Sequence, residues 1–152
     1  MKILLVGPKW VGGWTEGVGR AALAQGHEVS LFYYRSDVLA GMQNKANTCL
    51  QHRLQKGIGT VAGALKRVRD TVMNRRLILA ARTFQPNLIL VLKGETIAAE
   101  CLLALKALKI PVVSWWVDDP FIFPDALRML GLFDRVHMFD KDCIADLETE
   151  GI

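Results

Sequence analysis

Val112-Val-Ser-Trp-Trp-Val-Asp-Asp-Pro120 joins an apolar run directly to a pair of carboxylates. Pro111 and Pro120 bound the run, because proline cannot donate a hydrogen bond inside a central strand. A continuous apolar run of this length is typical of a parallel strand that is covered on both faces. Asp118 and Asp119 then follow its carboxyl end, the edge at which open α/β sheets bind ligands. The same aspartates could instead simply form a turn, since Asp is a common turn residue.

Working outward, four further strand-like runs alternate with helical patterns, at residues 3–6, 27–33, 87–92 and 135–139. Strands that alternate with helices predict a parallel sheet with right-handed crossovers. The runs around Ile89 and Val113 are the most aliphatic, so we expect them at the centre of the sheet. The prediction is a single α/β domain over residues 1–152, a three-layer Rossmann-like fold with helices on both faces of a five-stranded parallel sheet of order 2-1-3-4-5.

Composition agrees with one folded domain. The chain has 152 residues, of which 51% are hydrophobic and 22% charged, enough for a full core. No apolar run approaches the ~18 residues of a membrane span, and the run after Lys2 is too short for a secretory signal. The three cysteines are widely spaced and form no Cys-x-x-Cys pair. We therefore expect a cytoplasmic protein without a structural metal.

The helical segments carry an uneven charge. Thr15 is expected to cap the first helix, which ends at Gly26. A long basic amphipathic helix that ends before Pro86 is predicted by apolar residues at helical spacing, namely Val61, Leu65, Val68, Val72 and Leu79. Residues 45–82 have a net charge of +8 and residues 118–150 one of −6. This polarity could steer an anionic partner, or it could be a solvated helix face. Nucleic acid is an unlikely partner, because no aromatic residues interleave with the basic ones.

Three loops are expected to meet at the carboxyl edge of the sheet, at residues 7–15, 93–95 and 118–123. Candidate bases or hydroxyl-binding groups there are Asp118, Asp119 and Glu95, since adjacent carboxylates raise the pKa of one member. Lys93 would offset their charge. Trp115 and Trp116 point to opposite faces of a strand, so at most one can stack on a ligand, and both could be core residues. The residues expected to bind substrate are Gly7, Pro8, Gly12, Gly13, Trp14, Thr15, Lys93, Gly94 and Trp116.

Two other site types are disfavoured. Gly17-Val-Gly19 and Ala22 have the G-x-G-x-x-A spacing of a dinucleotide site, but they begin ten residues after the strand instead of immediately. A helix that starts beside a glycine-rich loop can still hold an anion. A metal at Asp118 and Asp119 is not expected, because the pair lacks an intervening residue and a nearby histidine.

Several segments together resemble a known family. They are the opening strand with Gly7, the Gly26-His-Glu-Val29 step, residues 85–95, the Trp115-Trp-Val-Asp-Asp-Pro120 segment and the Phe139-Asp-Lys-Asp142 segment. In this order they resemble the amino-terminal half of the CgeB-like, spore-maturation type glycosyltransferases, which have the two-domain GT-B architecture. The resemblance covers nearly the whole chain apart from residues 34–59.

The resemblance implies an acceptor-binding domain that supplies the catalytic base of a metal-independent transferase. The nucleotide-sugar donor would bind to a C-terminal domain that is absent from these 152 residues, so this chain alone is expected to be inactive and to need no cofactor of its own. Its partners would be a sugar or glycosylated acceptor and that donor domain. The alternative is a stand-alone Rossmann-like module, either a monomer or a homodimer, that binds a ligand or a partner without chemistry.

Overall fold

A computed structural model describes residues 1–9, 13–36, 58–123 and 126–152, without the side chains of residues 35–36 and 58–66. All strands of its sheet are parallel and lie in the order β2-β1-β3-β4-β5. The strands are β1 (Lys2–Lys9), β2 (Glu28–Ser36), β3 (Leu88–Leu92), β4 (Val112–Trp116) and β5 (Arg135–Met138). The predicted fold class and strand order are confirmed.

Helices connect these strands as the sequence pattern predicts. They are α1 (Trp14–Ala24), α2 (Ile58–Phe84), α3 (Ala99–Lys106), α4 (Ala126–Leu130) and α5 (Asp142–Thr149), with a short 3-10 helix at Pro120–Ile122. Gln85 follows α2 with φ 48°, outside the right-handed helical region, which is itself disfavoured for the residue before a proline. The predicted end of this helix before Pro86 is therefore confirmed. In the part of the chain that the structure describes, no helix is both long and apolar enough to cross a bilayer.

Alternating side chains divide the sheet into two covered faces. On one face Leu5 and Leu31 lie against Gly19 of α1. On the other face a core of fully buried side chains joins the sheet to α2, α3 and α4, and it includes Leu4, Val6, Leu77, Ile89, Val91, Leu102, Leu105, Val112, Trp116 and Leu130. Helices thus lie on both faces, as expected for a Rossmann-like sheet.

The first strand is longer than predicted. It continues through Gly7 and Pro8 to Lys9, and the register with β2 shifts between these two residues, so that Tyr34 is an extra residue in β2. Such a bulge allows a proline within a strand, because regular pairing is interrupted there. Gly7 and Pro8 are therefore strand residues, and the connection to α1 is shorter than the predicted loop of residues 7–15.

Thr15 does not cap α1. The helix begins at Trp14 after Gly13, which has φ 64° and provides no side-chain cap. Thr15 is fully buried in the first turn, and its hydroxyl donates a hydrogen bond of 2.7 Å to the carbonyl oxygen of Pro8. The predicted cap is wrong because this hydroxyl fastens the helix to β1 instead of satisfying the helix terminus.

Asp134 anchors the start of the central strand β4. Its Oδ2 accepts a 2.8 Å hydrogen bond from the backbone N–H of Val112, and its Oδ1 lies 3.1 Å from Nζ of Lys106. The backbone hydrogen bond, followed by Lys106, lowers the pKa of Asp134 below its ordinary value. The carboxylate therefore contributes stability above about pH 4, the unfolded pKa of Asp, and this contribution is lost as the pH falls through the folded pKa.

We expect Asp134→Ala to lower the free energy of unfolding by about 1–2 kcal/mol at pH 7, because the Val112 N–H loses its acceptor. Asp134→Asn keeps an acceptor and should cost less. Urea unfolding at pH 7 and pH 3 measures both effects, and the difference between wild type and Asp134→Asn should shrink at pH 3. Equal stability of wild type and Asp134→Ala at pH 7 would contradict this role.

Candidate functional site

The candidate site lies where β1, β3 and β4 end, at the carboxyl edge of the sheet. The order β2-β1-β3-β4-β5 places the reversal of direction between β1 and β3, the position at which such sheets bind ligands. Lys93 follows β3 directly and Asp118 lies two residues after β4. The residues that the sequence pattern selected are therefore brought to one edge.

Lys93 has an unusual backbone. It adopts φ 66° and is followed by Gly94 at φ 85°, so two consecutive residues are in the left-handed region. A Cβ at position 94 would lie 2.6 Å from Cγ1 of Val91, which requires glycine there. For a lysine this conformation costs on the order of 1 kcal/mol, and such strain is concentrated at functional sites. The turn directs the Lys93 side chain back over the end of β4.

Lys93 and Asp118 form an ion pair between the two strand ends. The Nζ of Lys93 contacts Oδ2 of Asp118 and lies 4.6 Å from the centroid of the Phe123 ring. Only 11% of the Lys93 side chain is exposed, compared with 38% for Asp118. An enclosed cation thus fixes a partly exposed carboxylate at the carboxyl edge of the sheet, and the contact expected between Lys93 and the acidic residues is present.

Asp119 has a different role from its neighbour. It is exposed, and its Oδ1 accepts a 2.8 Å hydrogen bond from the N–H of Phe121 at the start of the 3-10 helix. This is the turn-forming role that aspartate commonly has. The two carboxylates therefore have separate partners, and Asp118 is the one that faces Lys93.

Glu95 is held by a tyrosine, Tyr34, that the sequence pattern does not indicate as a site residue. The hydroxyl of Tyr34 lies 2.9 Å from Oε2 of Glu95 and 3.1 Å from the carbonyl oxygen of Leu92, and it accepts a hydrogen bond from the N–H of Gly94. Tyr34 is only 8% exposed. Its side chain thus reaches from β2 to the loop after β3 and orders that loop. Phe32 lies two residues before Tyr34 and packs on the same core. This two-residue spacing is the sequence signal that could have identified Tyr34.

The two central tryptophans point in opposite directions, as expected. Trp116 is fully buried, and its ring packs edge-on against Phe123 with centroids 5.7 Å apart. Trp115 is 37% exposed, and its ring lies 6.2 Å from that of Trp14 in a T-shaped arrangement. Trp116 therefore presents no surface to a ligand in this structure, contrary to the prediction that it binds substrate, whereas part of Trp115 is accessible.

The glycine-rich connection after β1 contributes mainly to packing. Gly7, Pro8 and Thr15 are all buried and hold α1 against the sheet. Gly13 lies at the start of α1, and Gly12 falls outside the described residues. Of this group Trp14, at the first position of α1, is the side chain that contacts Trp115 at the edge.

Other kinds of site receive no support from the described ranges. Within them, no group of three or more His, Cys, Asp or Glu residues could hold a metal ion. A groove of roughly 340 Å³ lies between α4 and the last residues, lined by Leu127, Arg128, Gly131, Leu132, Glu150, Gly151 and Ile152. It contains none of the candidate site residues, and among its described lining residues Arg128 and Glu150 have charged side chains.

Known proteins give no direct guide to this site. Comparisons of the chain with protein-family models, with curated proteins and with solved structures found no match. The function is therefore inferred from the geometry at the carboxyl edge.

Proposed function

We propose that this domain is the acceptor-binding side of a sugar transferase that uses a nucleotide-sugar donor, with Asp118 as the general base. The observation that carries the proposal is the ion pair between Lys93 and Asp118 at the carboxyl edge. Lys93 contacts Oδ2, and among the described residues no hydrogen bond reaches Oδ1. That second oxygen is available to accept a hydrogen bond from an acceptor hydroxyl.

A base at this position would accept the proton that the transfer releases. The hydroxyl oxygen of the acceptor bonds to the anomeric carbon of the sugar while the bond from that carbon to the phosphate oxygen of the nucleotide breaks. The hydroxyl proton passes to Asp118, and the electron pair of the broken bond leaves with the nucleotide. A positioned base of this kind contributes about 10²- to 10⁴-fold to a rate. The donor would be bound by a separate domain, in keeping with the family resemblance.

Aromatic side chains at the same edge of the sheet suit a sugar. Trp14 and Trp115 form a partly exposed pair at the same edge, and flat apolar rings with a polar atom commonly pack against sugar faces. We assign the stacking role to Trp115.

A binding module without catalysis is the second candidate, and the same ion pair favours it. The contact with the enclosed Lys93 fixes the Asp118 carboxylate in one position, where its other oxygen can accept a hydrogen bond. The site could then recognise hydroxyl groups of a ligand without transferring a proton.

Sugar binding is the experiment that tests the proposed site. Saturation-transfer NMR of the purified protein against a panel of mono- and disaccharides is expected to identify a ligand. Asp118→Asn and Trp115→Leu should each weaken its binding by about tenfold, the loss of roughly one charge-assisted hydrogen bond or one aromatic contact. Phe121→Leu is the matched control, because Phe121 is 43% exposed at the same edge but outside the ion pair. Binding that is indifferent to Asp118→Asn and Trp115→Leu would contradict the site.

A further inference from the structure

The outer face of α2 carries an exposed apolar stripe. Val68 is 62% exposed, Val72 51% and Leu79 63%. These are residues of the stripe that marks the amphipathic helix in the sequence. A stripe of this kind usually faces the core of a globular protein, whereas here it faces away from it.

The inner face of α2 is already occupied. Leu77 and Ala81 are fully buried in the main core. Asn74 fixes α3, since its Oδ1 accepts a 3.1 Å hydrogen bond from the N–H of Ala98 and its carbonyl oxygen accepts one from Sγ of Cys101. The helix therefore cannot turn its outer stripe inward without losing these contacts.

The outer stripe has the spacing of a seam between two helices. Val68, Val72, Arg75, Leu79 and Arg82 follow one another at intervals of four, three, four and three residues. This is the 3.5-residue repeat of a coiled-coil seam, and on a helix of ~100° per residue the five positions fall within roughly 80°. A helix that lies in a lipid surface usually has a broader apolar face, so the narrow seam fits a single partner helix better.

The positive charge of the seam favours an acidic partner. Arg75 and Arg82 lie within the seam and Arg76 flanks it, together with Arg69, which already pairs with Asp70 at 3.1 Å. Residues 71–94 contain no acidic residue. All four arginine side chains are exposed. Guanidinium groups bind carboxylates in a bidentate manner, whereas two copies of this face paired with each other would bring arginines together and repel.

We propose that the seam of α2, formed by Val68, Val72, Arg75, Leu79 and Arg82, docks an acidic amphipathic helix of a partner protein. Apolar residues of that helix pack against Val68, Val72 and Leu79, and its carboxylates pair with Arg75 and Arg82. The inference is independent of the sugar site, which lies at the carboxyl edge of the sheet.

Fluorescence anisotropy with a synthetic helical peptide tests the proposal. The peptide repeats a heptad with positions a to g. Leu stands at positions a and d, which form its apolar seam, and Glu at positions e and g, which flank the seam. It is compared with a peptide that has Lys at e and g, and with an acidic peptide of identical composition in scrambled order. We expect the acidic seam peptide to bind at least about tenfold more tightly than either, a difference of ~1.4 kcal/mol.

Variants of the protein locate the contact. Leu79→Glu and Arg75→Glu should each weaken binding of the acidic peptide by about tenfold. Both side chains are exposed, so circular dichroism and the unfolding midpoint should stay unchanged. Leu23→Glu is the matched control, because Leu23 is 55% exposed on α1, and it should leave binding unaffected.

Three results would overturn the proposal. One is equal or absent binding of the acidic seam peptide and the comparison peptides. Another is binding to phosphatidylglycerol vesicles that Leu79→Glu abolishes, without a preference among the peptides, which would assign the face to a lipid surface. The third is self-association in sedimentation velocity that Leu79→Glu removes, which would assign the face to a second copy of this chain.

Discussion

Gly7→Ala is expected to lower the free energy of unfolding by about 2–4 kcal/mol, through overpacking and the loss of a buried hydrogen bond. A Cβ at position 7 would lie 2.3 Å from Oγ1, 2.9 Å from Cγ2 and 3.2 Å from Cβ of Thr15. Because all three atoms are too close, rotation of the Thr15 side chain cannot relieve the clash. The helix α1 would have to move away from β1, and the hydrogen bond from Thr15 to Pro8 would be lost.

A matched control and a double variant make this prediction specific. A Cβ at Gly17 would meet no atom within 4 Å, so Gly17→Ala within α1 should stabilise by roughly 0.5–1 kcal/mol. Thr15→Ala removes two of the three clashing atoms. The cost of Gly7→Ala should therefore be about 1–2 kcal/mol smaller in the Thr15→Ala background, a coupling typical of residues in contact. Guanidinium unfolding measures the wild type and these four variants, and additive effects of Gly7→Ala and Thr15→Ala would contradict the proposed contact.

The fold could be predicted because several independent signals agree. Five aliphatic runs separated by helical segments permit few topologies once crossovers are right-handed, and Pro86 and Pro111 mark the ends of helical segments in the sequence. The end of β1 was harder to predict. Gly7 and Pro8 normally end a strand, but an extra residue in β2, Tyr34, accommodates them, and a bulge in a neighbouring strand leaves no mark on these two residues.

The site could be predicted only in part. Lys93 and Asp118 are predicted to lie at the carboxyl edge because they follow strands, and the structure places them there. Asp118 and Asp119 have distinct roles because their side chains point in different directions. Composition and spacing do not determine these directions. The same limit applies to Tyr34, whose hydroxyl reaches the Lys93–Glu95 turn across β1.

The long helix shows a further limit of periodicity. The sequence of α2 contains two apolar stripes, and the more regular one, with Val68, Val72 and Leu79, is exposed. The buried stripe includes Asn74 and Ala81, which are less hydrophobic but small enough for close packing against α3. Hydrophobicity alone therefore selects the wrong face, because the fit between helices determines which side is buried.

Asp118→Asn is expected to reduce kcat of sugar transfer by about 10²- to 10⁴-fold, the usual contribution of a general base. The assay uses the complete native protein, a nucleotide-sugar donor and the acceptor found in the binding experiment. Asparagine has nearly the same shape, but its single side-chain oxygen must serve both Lys93 and the acceptor, so acceptor binding should weaken by about tenfold. Binding of the acceptor should accordingly fall far less than the rate.

Asp119→Asn is the matched control for this prediction. Asparagine can accept the hydrogen bond from the N–H of Phe121 that Asp119 accepts now, so the turn and the rate should be preserved within about threefold, less than ~0.7 kcal/mol in activation free energy. A large loss in Asp119→Asn with little change in Asp118→Asn would transfer the role of base to Asp119. Acceptor binding that depends on Asp118, in a protein without transfer activity, would instead support the binding module, because the ion pair with Lys93 would then hold the carboxylate for recognition alone.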